Sequence, residues 1–184
     1  METPKEQIKV SVRELVEFIL RSGDIDNRRH ASSDTAMQEG SRIHRMIQKR
    51  MGSDYQAEVT LRYTYPTEHY DLVVEGRADG IIDTPKEKVI DEIKGTYREL
   101  FRMKVSNSVH LAQAKCYAYI YALQKEIPVI QVRMTYCHLE TEEIRYFTSE
   151  YEFAELKKWK SREKKDVRHR GKRVMSTKCR EEAT

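Results

Sequence analysis

Two consecutive apolar segments of this chain, residues 75–83 and 89–95, carry charged side chains among Val and Ile. The first contains Asp79, and the second contains the run Asp91-Glu92-Ile93-Lys94. Charged groups within apolar strands are costly to desolvate unless they are paired or bound to a metal. A fold built on these two strands must therefore bring its acids and its lysine together, and such a cluster points to chemistry more than to stability.

The alternation of side chains along a strand decides which of these groups can cooperate, because residues two apart point to the same face. Glu92 and Lys94 share one face of the second strand, and Asp91 points to the other. A hairpin turn between the strands can bring Asp79 beside Glu92. Two close carboxylates repel, and a Mg²⁺ or Mn²⁺ ion relieves the repulsion. Taken alone, Asp79 is explained equally well as a surface or turn residue.

Apolar periodicity and turn residues predict the order of elements. A helix over 11–20, with a capping box of Ser11 and Glu14, precedes a polar loop over 22–33. The remaining predicted elements are a helix from Asp34 to about Met51, an antiparallel meander over 55–65, 70–82 and 86–95, a helix over 108–126, strands over 129–139 and 143–148, and a last helix from near Ser149. This order predicts an α/β sandwich with a mixed sheet flanked by helices.

The length of 184 residues suits one domain with a complete core, which we place at residues 1–156. Residues 157–184 contain 12 basic and 4 acidic side chains, and we interpret them as a basic helix end followed by a tail or linker that is solvated or contacts nucleic acid. The three cysteines have no paired spacing, and no apolar run approaches the ~20 residues of a membrane span. We therefore expect a reducing, cytoplasmic location without membrane contact.

Four short patterns occur in a fixed order along the chain. They are Gly40-x3-His44, Gly76-x-x-Asp79-Gly80, Ile90-Asp91-Glu92-Ile93-Lys94 and Gln113-x3-Tyr117. A lone helical histidine is usually a surface or core residue, and a Gln/Tyr pair one turn apart is usually packing. The ordered set over about residues 36–121 resembles the PD-(D/E)xK nuclease superfamily, and within it the RecB-like exonuclease group. That group includes the CRISPR-associated spacer-processing nucleases and nuclease domains fused to DNA helicases.

The resemblance implies a restriction-endonuclease-like core and a role for each matching residue. The metal ligands would be His44, Asp79, Glu92 and the backbone carbonyl of Ile93, and the catalytic lysine would be Lys94. The supporting or DNA-binding residues would be Gln113 and Tyr117, with Glu58 as a further acidic position on the first strand. We expect Arg42, Arg98, Arg102, Lys104 and the basic tail to contact backbone phosphates. Tyr97 and Phe101 are explained equally well as base-stacking residues and as core or cap residues.

The implied function is a Mg²⁺- or Mn²⁺-dependent DNA exonuclease that acts in repair, recombination or defence. The histidine ligand favours Mn²⁺ as the more active metal. Several relatives carry a four-cysteine iron–sulfur cluster, which three scattered cysteines cannot supply. The helicase-fused subgroup lacks the cluster, so we expect a nuclease domain that stands alone or works with a helicase domain in the same or a partner chain. The alternatives are a catalytically inactive nucleic-acid-binding domain of the same fold and a structure-specific endonuclease.

Overall fold

The computed structural model describes residues 5–20, 34–68 and 70–161, and a six-stranded mixed sheet is its central element. In chain order the elements are β1 (Glu6–Ser11), α1 (Val12–Leu20), α2 (Asp34–Arg50), β2 (Tyr55–Pro66), β3 (Tyr70–Asp83), β4 (Lys88–Thr96), a 3₁₀ turn (Leu100–Arg102), α3 (Ser108–Lys125), β5 (Val129–His138), β6 (Ile144–Glu152) and α4 over 153–161. Helices flank the sheet, so the predicted α/β class is confirmed.

Strand β3 organises the sheet because both of its edges are used. One edge pairs antiparallel with β2 from Asp71 to Ile82. The other edge is shared, since β1 pairs in parallel with residues 70–75 and β4 pairs antiparallel with residues 80–83. Among the described strands, none pairs with residues 76–79 on that shared edge. The sheet therefore forks at this point, and Asp79 stands in the fork.

The helices are placed by apolar contacts with the sheet. On α2, Ile43 and Ile47 are fully buried against Ile93 of β4. Helix α3 belongs to the main core and also contacts α1 and β5. Its N-terminus is capped by the Asn107 side chain, which accepts hydrogen bonds from the Val109 and His110 backbone N–H groups. These contacts hold α1, α2 and α3 around the fork in the sheet.

The predicted elements agree closely with those of the structure. The meander of β2, β3 and β4 is confirmed, and so is the capping box, in which the Glu14 N–H donates to Ser11 Oγ at 3.1 Å and the Ser11 N–H donates to Glu14 Oε2 at 3.0 Å. The start of the last helix was predicted wrongly, because β6 continues to Glu152 and α4 begins at residue 153. Strand β1 was not predicted at all.

Two of the predicted segments lie outside the part of the chain that the structure describes. The predicted loop over 22–33 and the tail beyond residue 161 lie outside the described residues. The first part of the predicted basic segment belongs to α4, where Leu156 and Lys160 are buried against the body. Among the described residues, no helix is long and apolar enough to cross a membrane.

Candidate metal centre

The fork in the sheet leaves the carboxylate of Asp79 free to act as a hydrogen-bond acceptor for two other elements. Its Oδ2 accepts the backbone N–H of Ile93 at 2.7 Å, which takes the place of a strand–strand hydrogen bond. Its Oδ1 lies 3.3 Å from Nδ1 of His44 on α2. The Asp79 carbonyl accepts from Nε2 of Gln48 at 2.9 Å. Helix α2 and strands β3 and β4 therefore meet at one aspartate.

Glu92 and Lys94 lie on the same face of β4, as strand alternation predicts. Lys94 Nζ is 2.7 Å from Glu92 Oε1, and the Glu92 side chain is 1% exposed. The other oxygen, Oε2, is buried and has no hydrogen-bond partner among the described residues. A buried carboxylate oxygen without a donor is destabilising, so this atom is the best candidate in the site for a cation ligand.

Glu58 lies beside His44 and Asp79, although the sequence pattern that indicates a role for it is weak. The ligand atoms of His44, Glu58 and Asp79 lie within 4.8 Å of one another, and Glu92 is not a member of this group. Glu58 has a φ of 58°, and the β2–β3 register omits the Glu58 and Asp79 pair while it continues unchanged on both sides. Left-handed backbone is unfavourable for a residue with a side chain and is found preferentially at functional sites. The local strain thus falls where two acidic side chains approach each other.

The set of donors fits a divalent metal. Two carboxylates, one imidazole nitrogen and a nearby buried carboxylate oxygen are ligand types that Mn²⁺ and Mg²⁺ accept. His44 and Asp79 are the shared members of the predicted ligand set and of the observed group. The predicted carbonyl ligand belongs to Ile93, whose side chain is buried and whose N–H is already bound to Asp79.

The electrostatics of the site agree with the crowding of like charges. Burial raises the pKa of Glu92 to about 7, Asp79 adds to that rise, and Lys94 opposes it. Burial lowers the pKa of His44, but the hydrogen bond to Asp79 and its charge outweigh burial, so the net shift of this pKa is upward. Without a cation, the site therefore retains protons that a metal would displace.

Gln113 and Tyr117 on α3 lie next to the same face of β4. Burial is the main cause of a raised pKa for Tyr117, the Glu92 charge adds to the rise, and the neighbouring Gln113 side chain opposes it. A Cβ on Gly76 would stand 2.7 Å from the Tyr117 hydroxyl, so the glycine allows the ring to enter the fork. Gly76 and Tyr117, which belong to two separate sequence patterns, are therefore in contact.

Asp91 belongs to a separate buried cluster on the opposite face of β4. Its carboxylate accepts from Nε and Nη2 of Arg133 at 3.1 and 2.9 Å, from the Tyr55 hydroxyl at 2.9 Å and from Thr135 Oγ1 at 2.5 Å. All of its acceptor capacity is used, so Asp91 is explained as a structural anchor between β4, β5 and β2. No local sequence pattern indicates any of these three partners.

The predicted DNA-contacting residues differ in their surroundings. Arg42 donates to Glu142 Oε1 at 2.6 Å and to the Leu139 carbonyl at 3.2 Å, so its guanidinium is tied to the β5–β6 turn. Tyr97 and Phe101 are 58% and 68% exposed, which rules out a core role for either. Three further cations that we predict to contact phosphates are exposed on the connection between β4 and α3, namely Arg98, Arg102 and Lys104.

Comparison with known proteins supports the fold but assigns no activity. The sequence matches no family model, and no curated protein matches it. Among solved structures, the fold is similar to the crystal structure of SSO0001, with a TM-score of 0.54 and 16% sequence identity over 80% of this chain and 69% of that one. A likeness at this level of identity shows a shared fold alone.

Proposed function

We propose that this chain is a metal-dependent deoxyribonuclease that releases nucleotides from DNA ends by hydrolysis of phosphodiester bonds. The observation that carries the proposal is the buried Glu92 carboxylate, with one oxygen bound to Lys94 and the other without a partner among the described residues. A buried ion pair is stabilising only when its remaining lone pairs are satisfied as well, so this oxygen favours a further ligand. The neighbouring group of His44, Asp79 and Glu58 supplies the further ligands that a cation at this place would need.

His44, Asp79, Glu92 and Glu58 would hold the metal, with His44 and Asp79 already oriented by their mutual contact. A bound Mg²⁺ or Mn²⁺ supplies Lewis-acid polarisation of a phosphate oxygen and lowers the pKa of a water. Lys94 uses one of its three N–H donors on Glu92 and is 25% exposed, so its remaining donors can reach a non-bridging phosphate oxygen. Its positive charge would stabilise the negative charge that builds up on that phosphate during attack.

The experiment that tests this function measures the release of nucleotides from end-labelled single- and double-stranded DNA with Mn²⁺ or Mg²⁺. Wild type is compared with Asp79→Asn and Lys94→Ala. Exposed residues supply matched controls, since Asp54→Asn and Lys86→Ala remove the same charges away from the site. We expect release by wild type and both controls, and a loss of about 10²-fold or more in the two site variants.

Equal release by wild type and the site variants would contradict the proposal. Binding of DNA without release by any protein would favour the inactive nucleic-acid-binding alternative. Circular DNA separates the two nuclease classes, because an exonuclease leaves it intact and an endonuclease cuts it. Labels at opposite ends of the linear substrate then report the direction of digestion.

A further inference from the structure

A cavity of about 290 Å³ extends from the metal centre between α1, α2 and the start of α3. Its lining includes His44 and Lys94, but also Arg13 and His110, which the proposed hydrolysis does not use. His110 lies one turn before Gln113 on α3, so the side chains of both residues are on the side of the helix that faces the site. This cavity is larger than a metal ion requires, so it has room for part of the substrate.

The hydrogen bonds of Tyr136 determine which nitrogen of His110 carries the proton. The buried Tyr136 hydroxyl accepts the Asn107 backbone N–H at 3.0 Å and lies 3.1 Å from His110 Nδ1. No other acceptor for this hydroxyl is found among the described residues, so its hydrogen is satisfied only by donation to Nδ1. The imidazole proton then belongs on Nε2.

His110 lines the cavity, and its Nε2 is not a buried atom. Within the described part of the chain this nitrogen has no hydrogen-bond partner, and it is accessible to solvent. The donor therefore has access to the cavity space. Burial and the charges of Lys94, Arg13 and Arg98 lower the pKa of His110 to about 4, so the ring is neutral at pH 7.

Arg13 and Lys94 in the cavity lining, with the charge of Arg98 acting on the same histidine, make this end of the cavity suitable for an anion. Arg13 forms an ion pair with Glu17 at 3.0 Å, but its side chain is 77% exposed and retains free N–H donors. Lys94 lines the cavity and is also paired with Glu92 of the metal centre. A neutral N–H donor among cations suits a phosphate oxygen, since it adds a hydrogen bond without further repulsion among the positive groups.

We propose that His110, oriented by Tyr136, donates from Nε2 to a second phosphate group of the substrate strand, next to the phosphate held at Lys94. Arg13 and Arg98 add charge to this subsite. The ligand chemistry is a phosphate, and its source is either an internal phosphodiester or a terminal monophosphate. The inference rests on the proposed function for the identity of the ligand as a nucleic-acid strand.

The test measures binding by fluorescence anisotropy of fluorescein-labelled single strands, with Ca²⁺ in place of Mn²⁺. His110→Ala removes the donor, and we expect about tenfold weaker binding. His110→Gln places an amide N–H near the position of Nε2 and should stay within about threefold of wild type, whereas His110→Asn places it near Nδ1 and should behave like the alanine variant. Thermal unfolding shows whether each variant folds. If His110→Ala does not fold, the comparison of His110→Gln with His110→Asn decides whether Nε2 donates to the phosphate.

Strands that end in a 5′-phosphate, a 3′-phosphate or hydroxyl groups distinguish the two sources of the phosphate. A loss confined to one phosphorylated end identifies a terminal phosphate, and an equal loss for all strands identifies an internal one. Unchanged binding in all three variants, or equal losses in the Gln and Ala variants, would overturn the subsite. The outcome is distinguishable from a failure of the nuclease proposal. If wild type cleaves DNA and all three variants bind it normally, only the phosphate subsite is excluded.

Discussion

Glu92 is the residue whose position is hardest to explain without a ligand. Its carboxylate is buried, Lys94 neutralises only part of its charge, and Asp79 adds repulsion. A buried acid in such surroundings is destabilising to the metal-free fold in its ionised form. Residues of this kind are characteristic of functional sites more than of structural ion pairs.

The first prediction concerns the pH dependence of stability. The folded-state pKa of Glu92 is about 7, against an ordinary value of 4.5, so its contribution to stability is fully present below about pH 4.5 and is lost as the pH rises through about 7. Without metal, the free energy of unfolding of wild type should therefore fall relative to that of Glu92→Gln across this window, by up to about 3 kcal/mol. Urea unfolding in EDTA over a pH series measures the difference.

The comparison of these two proteins is needed because His110 acts in the opposite direction. Its pKa is lowered to about 4, so its contribution is lost as the pH falls below about 6.5. That contribution is common to wild type and the variant and cancels in their difference. Parallel stability curves for the two proteins would show that Glu92 is not the buried proton acceptor described here.

The second prediction concerns the choice of metal. His44 offers the one nitrogen ligand in the group with Asp79 and Glu58, and nitrogen ligands favour Mn²⁺ over Mg²⁺. We expect His44→Ala to weaken Mn²⁺ binding by about tenfold or more, with a smaller effect on Mg²⁺. Calorimetric titration with each metal measures both dissociation constants, and an unchanged ratio of the two would exclude His44 as a ligand.

At the scale of elements, the site depends on how β3 and β4 separate. Beyond the fork, Gly80 is the first residue of β3 that pairs with β4, and the Tyr55 ring covers it so closely that a Cβ would overlap the ring. Tyr55 in turn donates to Asp91 on the far face. The glycine in the Asp79-Gly80 pattern is therefore required by packing, and the fork is fixed from both faces of the sheet.

The third prediction follows from this contact. Gly80→Ala should destabilise the protein by about 2 kcal/mol, because the ring and its hydrogen bond to Asp91 must move. Gly52→Ala is the matched control, since a Cβ there meets no atom within 4 Å. Chemical denaturation measures both changes, and equal free energies of unfolding for the two variants would contradict the packing role.

The sequence predicted much of this arrangement, and the exceptions have physical reasons. The pairing of Glu92 with Lys94, and not of Asp91 with Lys94, followed from strand alternation alone. Strand β1 was missed because its alternation rests on only two apolar residues, Ile8 and Val10, in a polar segment. The Arg133 anchor of Asp91 was missed because partners 42 positions apart leave no local pattern.

Long-range contacts also explain what was underestimated at the site. Glu58 joins His44 and Asp79 only because β2 pairs with β3 in one register, which no short motif records. The pairing of His110 with Tyr136 depends on the packing of α3 on β5. The spacing of His110 to Gln113 was a usable signal, since it places a second polar side chain on the side of the helix that faces the site.

At the scale of the whole molecule, charge is distributed unevenly along the chain. Residues 162–184 contain nine basic and four acidic side chains, whereas residues 1–161 contain 25 basic and 26 acidic ones. The net positive charge of the protein thus lies in its last residues. Long-range attraction of a polyanion would depend mainly on that segment, and cleavage on the centre in the sheet.

The fourth prediction separates these two contributions. Removal of residues 162–184 should weaken binding to single-stranded DNA and lower the salt dependence, by about 3 in the slope of log K against log salt concentration. Cleavage of saturating substrate should persist, because α4 with its buried Leu156 and Lys160 is retained. Binding titrations at several salt concentrations measure the slope, and an unchanged slope would exclude the tail from DNA contact.

The decisive measurement for the proposed metal centre is the Mn²⁺-dependent rate of nucleotide release from end-labelled DNA by wild type, Glu92→Gln and Asp91→Asn. These neighbours on β4 carry the same charge but face opposite sides of the sheet. We expect Asp91→Asn to be less stable but active per folded molecule, and Glu92→Gln to fold and to lose about 10²-fold or more of the rate. Release that needs no metal, or equal rates for wild type and Glu92→Gln, would exclude Glu92 as a metal ligand in the reaction.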